Sequence, residues 1–583
     1  MPTLRQVFLT VLPFVLAVAV TAVFTIGVPL GDDTSGEIET EADGVGYIPA
    51  PSGDFDTDGQ PPDGWNDFST FEERSEALGF NYTMTYRGRS MMTSAGVYVV
   101  DFNNNGYEDV LAVGGESPVL FENVGGKFEQ ARTFEHSDIR SAHFFDYNNN
   151  GYRDLLLAQY GGELILYENT GGVYERSDID FGKRVQNPSV ITTADFTGNG
   201  YLDVFVGQNG HWQSNSPMDI KQQRRVFNAH PHVRPESNPA NPNLLFQGDG
   251  ETFTEITERA GIRGSNWTLA VSAADFTSNG YPDIHVGNDF GADIIYGNNG
   301  NGTFRRRTMG TASDRHAMAS AVQDVTGNHH LDIFVTNIYV PPTAEMTAAP
   351  YDLATIVAVP KGNNLFVNDG TGEFTDEAEE KSVRKGGWGW AATIADYTND
   401  GHLDIVHGAS ANIPVGEYEE YEYIQLFRGK PDGWERANSS DHGIEHDSTR
   451  GLARIDAAID GRLDIVASAA SWHHRAEIES SSYKLYRNTH EADESLQLFI
   501  RDPNGVERHA AVYVETDRRV IRRTVNARSG FNSQDSQLVH IGTANETVRS
   551  VTVLWPDGST AEYDSLEEGN RYILTPSGSE RVT

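Results

Sequence analysis

Apolar and polar positions fall into three regimes along the chain. From Val7 to Leu30 no charged residue interrupts a run dominated by Val, Ala, Leu and Phe. As a helix, that stretch would span about 36 Å at ~1.5 Å per residue, enough for a hydrocarbon core of about 30 Å. From Gly31 to about Gly64 the residues are mainly Gly, Pro, Asp, Glu, Ser and Thr, with too little apolar surface to order the chain, which predicts a tether. Beyond it, short apolar runs such as Val110-Leu111-Ala112-Val113, Leu155-Leu156-Leu157 and Ile333-Phe334-Val335 alternate with turn-forming residues. This is the pattern of short strands joined by tight turns.

The strands are organised by a repeat. Seven nonapeptides begin and end on Asp, at Asp101–Asp109, Asp146–Asp154, Asp195–Asp203, Asp275–Asp283, Asp324–Asp332, Asp396–Asp404 and Asp456–Asp464. Successive starts are 45, 49, 80, 49, 72 and 60 residues apart. The short spacings match one four-stranded propeller blade, and the long ones match a blade with an insertion. A second signature follows each nonapeptide, from Leu120-Phe121-Glu122-Asn123 and Leu166-Tyr167-Glu168-Asn169 to Leu485-Tyr486-Arg487-Asn488. Glycine-containing turns usually come next, as in hairpins. The expected fold is all-β: a seven-bladed propeller over residues 65–488, then a small β-sandwich or barrel over 489–583. The latter is suggested by alternation at Val512-Tyr513-Val514 and by the turn Trp555-Pro556-Asp557-Gly558.

Oxygen-bearing side chains at positions 1, 3, 5 and 9, a main-chain carbonyl near position 7 and Gly at position 6 suit a loop wound around a hard cation such as calcium. The expected ligands are Asp101, Asn103, Asn105, Tyr107 and Asp109; Asp146, Asn148, Asn150, Tyr152 and Asp154; Asp195, Thr197, Asn199, Tyr201 and Asp203; and Asp275, Thr277, Asn279, Tyr281 and Asp283. The remaining copies supply Asp324, Thr326, Asn328 and Asp332; Asp396, Thr398, Asp400, His402 and Asp404; and Asp456, Asp460 and Asp464. The fifth copy has His329 in place of Gly, and the seventh has Ala458 at its third position, so these two are the weakest or empty sites. An EF-hand would need Glu at position 12, where Ala112, Leu157, Val206, Val286, Val335, His407 and Ala467 stand, so each loop runs into a strand. Self-bonded Asx turns are the alternative; they account for one or two copies, not for a ninth-position Asp in all seven. Few carboxylates per loop imply affinities near ~10⁻⁴–10⁻³ M and structural ions.

Charge narrows the partners. The chain of 583 residues carries a formal charge of −40, with no Cys. That balance disfavours nucleic acid and anionic membrane surfaces, and the missing thiols remove disulfides and thiolate metal sites. Eight Lys against thirty-six Arg, with acids spread throughout, resemble the surface of a salt-adapted protein from a halophile. Arg5 before the first apolar run and Asp32 and Asp33 after it favour a cytoplasmic amino terminus and an exported remainder. The run is either an uncleaved membrane anchor, residues 1–30, or a signal peptide cut after Ala17-Val18-Ala19. Membrane contact is expected only through that segment. Sequons at Asn81, Asn266, Asn301, Asn438 and Asn545 are compatible with an extracellular location.

The loops and hairpins together resemble FG-GAP/VCBS repeats, the units of integrin α-like propellers. The tail, Arg528-Ser529-Gly530-Phe531-Asn532-Ser533-Gln534, then Val539-His540-Ile541-Gly542 and Val551 to Gly558, is similar to the ASPIC/UnbV module that follows such propellers in the cartilage acidic protein-like family. It departs from the usual pattern at Thr543-Ala544. The resemblance implies a calcium-stabilised cell-surface module binding a protein or glycan partner. An exported enzyme acting on polysaccharide (lyase or hydrolase) and a structural envelope component are the alternatives. Insertions at about Gln208–Asn243 and Asn337–Asn363 carry candidate polar residues, His211, Trp212, His230 and His232 in the first; Trp472, His473 and His474 form a third candidate group. No catalytic motif spacing accompanies them, and nothing nominates a nucleophile.

Overall fold

In the computed structural model the described residues are 70–85, 95–114, 117–210, 241–264, 267–289, 291–309, 316–339, 362–409, 424–437, 442–444, 449–469, 480–490, 494–502, 509–525, 531–564 and 566–582. All of them belong to one unit, Val45–Thr583. The apolar run at 7–30, the tether, His211, Trp212, His230, His232, Trp472, His473, His474, Asn266, Asn438 and Arg528-Ser529-Gly530 lie outside the described residues. Among the described residues no helix is long and apolar enough to cross a membrane, and the one helical element bounded on both sides is a single turn, Ser75–Leu78. The chain is all-β.

The described residues between 71 and 488 form seven sheets of one design, each built on four antiparallel strands, and a separate two-stranded pair, Thr83–Thr85 with Ser480–Ser482. In the first, Gly96–Val100, Asp109–Val113, Val119–Asn123 and Phe128–Thr133 follow one another as neighbours. The next five sheets repeat that order, with first strands Ile139–Phe145, Pro188–Ala194, Thr268–Ala274, Ala319–Gln323 and Gly389–Ala395. In the seventh, Thr449–Ile455, Asp464–Ala469 and Lys484–Asn488 are completed by Phe71–Glu73 from the other end of the chain, Phe71 opposite Asn488. Each first strand contacts the first strand of the next sheet, and Thr449–Ile455 contacts Gly96–Val100, so the circuit closes.

The closure has a hydrophobic reason. Strands of these sheets are apolar on both faces, as in Asp109–Val113 and Asp154–Gln159, where the central residues are all buried. A lone sheet would leave one such face in water. Instead, a separate apolar cluster fills each gap between successive sheets: Phe144, Leu155 and Tyr98 join the second to the first, and Ile465, Tyr486 and Tyr397 join the seventh to the sixth. Val97, Phe121, Ile455 and Val466 lie in the gap between seventh and first. Each sheet therefore buries both of its faces only against its neighbours, as repeat architectures require.

Two further four-stranded sheets complete the carboxyl-terminal part. One contains Val539–Gly542, Ser495–Ile500, Asn570–Thr575 and Gly578–Val582; the other contains Val520–Thr524, Ala511–Thr516, Val548–Leu554 and Thr560–Asp564. Their facing residues, among them Leu498, Val512, Val551, Trp555 and Leu574, share one core, which makes the pair a sandwich. A two-residue strand, Ser533–Gln534, leaves this sandwich and pairs in parallel with Val97 and Tyr98, on the first strand of the first sheet.

Candidate cation loops and their cover

The nonapeptides are the hairpins between first and second strands. The insertions join second to third strands, and therefore emerge at the opposite end of each sheet. Within a loop, the carboxylate at position 1 accepts the main-chain N–H groups of positions 5 and 6. The bonds are 3.0 and 3.0 Å at Asp101, 3.1 and 2.7 Å at Asp146, and 3.0 and 2.8 Å at Asp195. Asp275, Asp396 and Asp456 do the same, while Asp324 takes the N–H groups of Gly327 and His329. This tight wrap puts position 6 in the left-handed region: φ is 84° at Gly106 and 86° at Gly200, and 66° at His329, where the sequence departs from Gly.

Side-chain oxygens at positions 3 and 5 close further turns. Asn103 and Asn148 accept from Asn105 and Asn150 at 3.2 Å. Asn105, Asn150, Asn199, Asn279 and Asp400 accept from the N–H groups of Tyr107, Tyr152, Tyr201, Tyr281 and His402; Asn328 accepts from His330. Thr197, Thr277 and Thr326 donate to the ninth-position aspartates, and Thr398 donates to Asp396. Asx turns thus close all seven copies, not the one or two expected of that alternative, because the position 5 oxygen accepts from the position 7 N–H in each loop. Among the described residues no group of three or more His, Asp or Glu side chains converges on one point, so amide, hydroxyl and carbonyl oxygens would have to complete any cation site.

The ninth Asp has a job the sequence did not disclose. Asp109 accepts the N–H of Phe102 at 3.1 Å and of Asn123 at 2.7 Å, tying the loop to the third strand. Asp154, Asp283, Asp332, Asp404 and Asp464 repeat the pair of bonds; Asp203 uses Thr197 and Gly248. All seven are buried. Burial pushes these carboxyls up, to about 8 at Asp154 and Asp283 and about 7 at Asp203 and Asp332, with the main-chain donors opposing the shift.

The Asn that ends the second signature is equally specific. Asn123 donates to the carbonyls of its own Glu108 and of Ala457 in the preceding sheet, and accepts from Gly126. Asn169, Asn298, Asn368 and Asn488 reach the preceding sheet at Phe102, Phe196, Phe276 and Tyr397. Gly248 and Gly429 replace it in the third and sixth sheets, where a Cβ would lie 2.5 and 2.4 Å from the carbonyl oxygens of Leu202 and Leu403. In the sixth sheet the Trp434 indole N–H donates to that Leu403 oxygen instead, at 2.8 Å.

The sandwich covers the loop end. Arg501 reaches Asp101 at 2.6 Å and Arg571 reaches Asp456 at 3.0 Å. Arg571 also donates to Gly106 O, and Arg522 donates to His329 O. Segment 531–538 enters the space bounded by the first strands. Gln534 accepts from the Phe144 N–H and donates to its carbonyl, while Asp535 accepts from Thr393 and from the Arg454 N–H. Phe531 packs edge-on against Trp390, 5.5 Å between centroids. Cover is uneven. At Asp195 burial raises the carboxyl against backbone donors alone, with no basic side chain taking part. Asp195 and Asp203, with Thr197 and Asn199, make an uncompensated oxygen set of the kind a hard cation suits.

Two known families match parts of this chain. Residues 101–157, 146–206, 275–335 and 352–407 match the FG-GAP-like repeat, and residues 504–581 match the ASPIC and UnbV family. The chain is 20% identical over 390 residues to cartilage acidic protein 1 of Mus musculus, covering 66% of this chain and 54% of the relative. It is 27% identical over 198 residues to the Xenopus tropicalis protein of that name, covering 31% and 27%. The match thus spans about half or less of these relatives' length. Among solved structures, the BP39L lectin from Burkholderia pseudomallei aligns at TM-score 0.41 and 12% identity, over 68% of this chain and 97% of that one.

Proposed function

We propose that this chain, which carries FG-GAP-like repeats and an ASPIC and UnbV module, is an extracellular interaction module whose seven sheets are the blades of one calcium-stabilised propeller. Its partner is a protein or a glycan. Calcium would be held by the alternating oxygens of the nonapeptides, the Asp195 loop foremost, and there it would neutralise buried carboxylates and brace the hairpins. The chain's own residues do the rest: ninth-position aspartates fasten each loop to its sheet, and the terminal Asn of the hairpin signature fastens each sheet to the one before.

The observation that carries the interaction reading is the cover over the loop end. Gln534 and Asp535 bond to first strands, and arginines of the sandwich lie on loop aspartates. That end is occupied by the chain itself, so the opposite end, where the insertions leave the sheets, is the surface offered to a partner. A polysaccharide-cleaving site between the first strands has less support, because Gln534 and Asp535 bond to those strands there. The test is a screen of immobilised glycans and surface proteins with the full chain in calcium. Specific capture abolished by substitutions in 211–240 and 340–361, and kept by substitutions on the sandwich's outer face, supports the reading. Capture through the sandwich alone overturns the assignment of the surface.

A further inference from the structure

We infer that the seventh loop, Asp456–Asp464, is closed by arginine and takes no cation. The inference rests on the proposed calcium reading of the other loops. Each of its three carboxylates already faces a guanidinium. Arg487 Nε lies 2.9 Å from one Asp464 oxygen and 3.0 Å from the other, while its Nη2 is 2.7 Å from Asp460. Arg462 reaches the same Asp460 oxygen at 2.5 Å, and Arg571, from the sandwich, reaches Asp456 at 3.0 Å. Gln497 adds a bond of 2.8 Å to Asp456. Position 3 is Ala458, so no side-chain oxygen remains there to be recruited.

Arg487 bridges positions 5 and 9, whose oxygens a bound cation would have to share. A divalent ion entering the loop would be repelled by three guanidinium groups and would have to displace charge-assisted bonds that are among the stronger polar contacts in proteins. The device is written at one hairpin position, the third residue of the second signature. In the first two sheets that residue is Glu122 or Glu168, which accepts from the loop's Asn103 or Asn148. In the sixth it is Arg428, which pairs with Asp400 at 3.1 Å and leaves Asp396 and Asp404 without an ion pair among the described residues. Among the described residues, only the seventh loop has a guanidinium on every carboxylate. That loop adjoins the seam of the ring, where Phe71–Glu73 completes the last sheet and Ala457 receives Asn123. The seam is therefore held without dissolved cations, and chelation slackens other loops first.

The test counts calcium bound per full chain by elemental analysis after equilibration at fixed free calcium. Asp460→Asn is expected to leave the count unchanged, while Asp195→Asn lowers it by one. A folded Arg487→Gln chain, its three carboxylates intact, is expected to gain one ion, and its thermal midpoint should acquire added calcium dependence. Loss of one ion in Asp460→Asn, or no gain in folded Arg487→Gln, overturns the inference while leaving the calcium reading intact. A wild-type chain that binds no calcium sinks the calcium reading itself.

Discussion

The side-chain amide of Asn123 donates to the carbonyl oxygen of Ala457 at 2.8 Å, across 334 positions of sequence. It joins the first sheet to the last and repeats, at the seam, the bond by which Asn169 holds Phe102. Both residues are fully buried. Replacing Asn123 by Ala strands two carbonyls and the Gly126 N–H, a loss of about 1–3 kcal/mol, and should lower the urea midpoint without changing the slope. An Asn123→Ala chain as stable as wild type would mean the seam relies on apolar packing alone. The converse graft, Gly248→Asn, is expected to destabilise, because its Cβ would meet the Leu202 carbonyl.

Asp535 joins two sheets of the ring to the sandwich through Thr393 and Arg454. Asp535→Ala should cost about 1–3 kcal/mol for the buried donors left unpaired, and the effect should be local. Under limited proteolysis the ring should then survive longer than the sandwich. Simultaneous loss of both parts would show that the two are one cooperative unit.

Calcium removal is expected to lower the thermal midpoint of the full chain, because binding energy to the folded loops is folding energy. The Asp195→Asn chain should lose part of that calcium dependence and Asp460→Asn none. A midpoint identical in calcium and in chelator would remove the proposed stabilising role.

Acid should destabilise the fold through His407. Burial holds this imidazole down at about 3, against an ordinary value near ~6.5. It packs between the rings of Phe334 and Phe427. The depressed group contributes stability that is fully present above pH ~6.5 and is lost as pH falls towards 3, because the unfolded chain takes the proton first, at up to ~1.4 kcal/mol per pH unit. Buried Asp154 and Asp283, shifted upward, act with the opposite sign, but they are common to wild type and variant. The stability difference between wild type and His407→Asn should therefore shrink from pH 7 to pH 4.5; a constant difference would show that His407 takes its proton as readily in the fold as in the unfolded chain.

Much of this molecule is written locally. Spacing between nonapeptides, apolar runs after each ninth Asp and the Leu-Phe-x-Asn signature determined an all-β repeat, because each unit has its own turn chemistry and strand pattern. Local patterning also singled out Ala458 and His329 as departures. What each polar residue bonds to was decided only by tertiary structure. The ninth Asp reaches a strand further along the chain, the hairpin Asn reaches the preceding sheet, Arg487 meets its aspartates through strand pairing within the seventh sheet, and Arg501 and Arg571 meet theirs only where the sandwich lies on the ring. A carboxylate looks the same in sequence whether a metal or a guanidinium will neutralise it; long-range packing chooses which charge arrives, because neutralising a buried ion requires contact at about 3 Å and sequence spacing does not encode that distance.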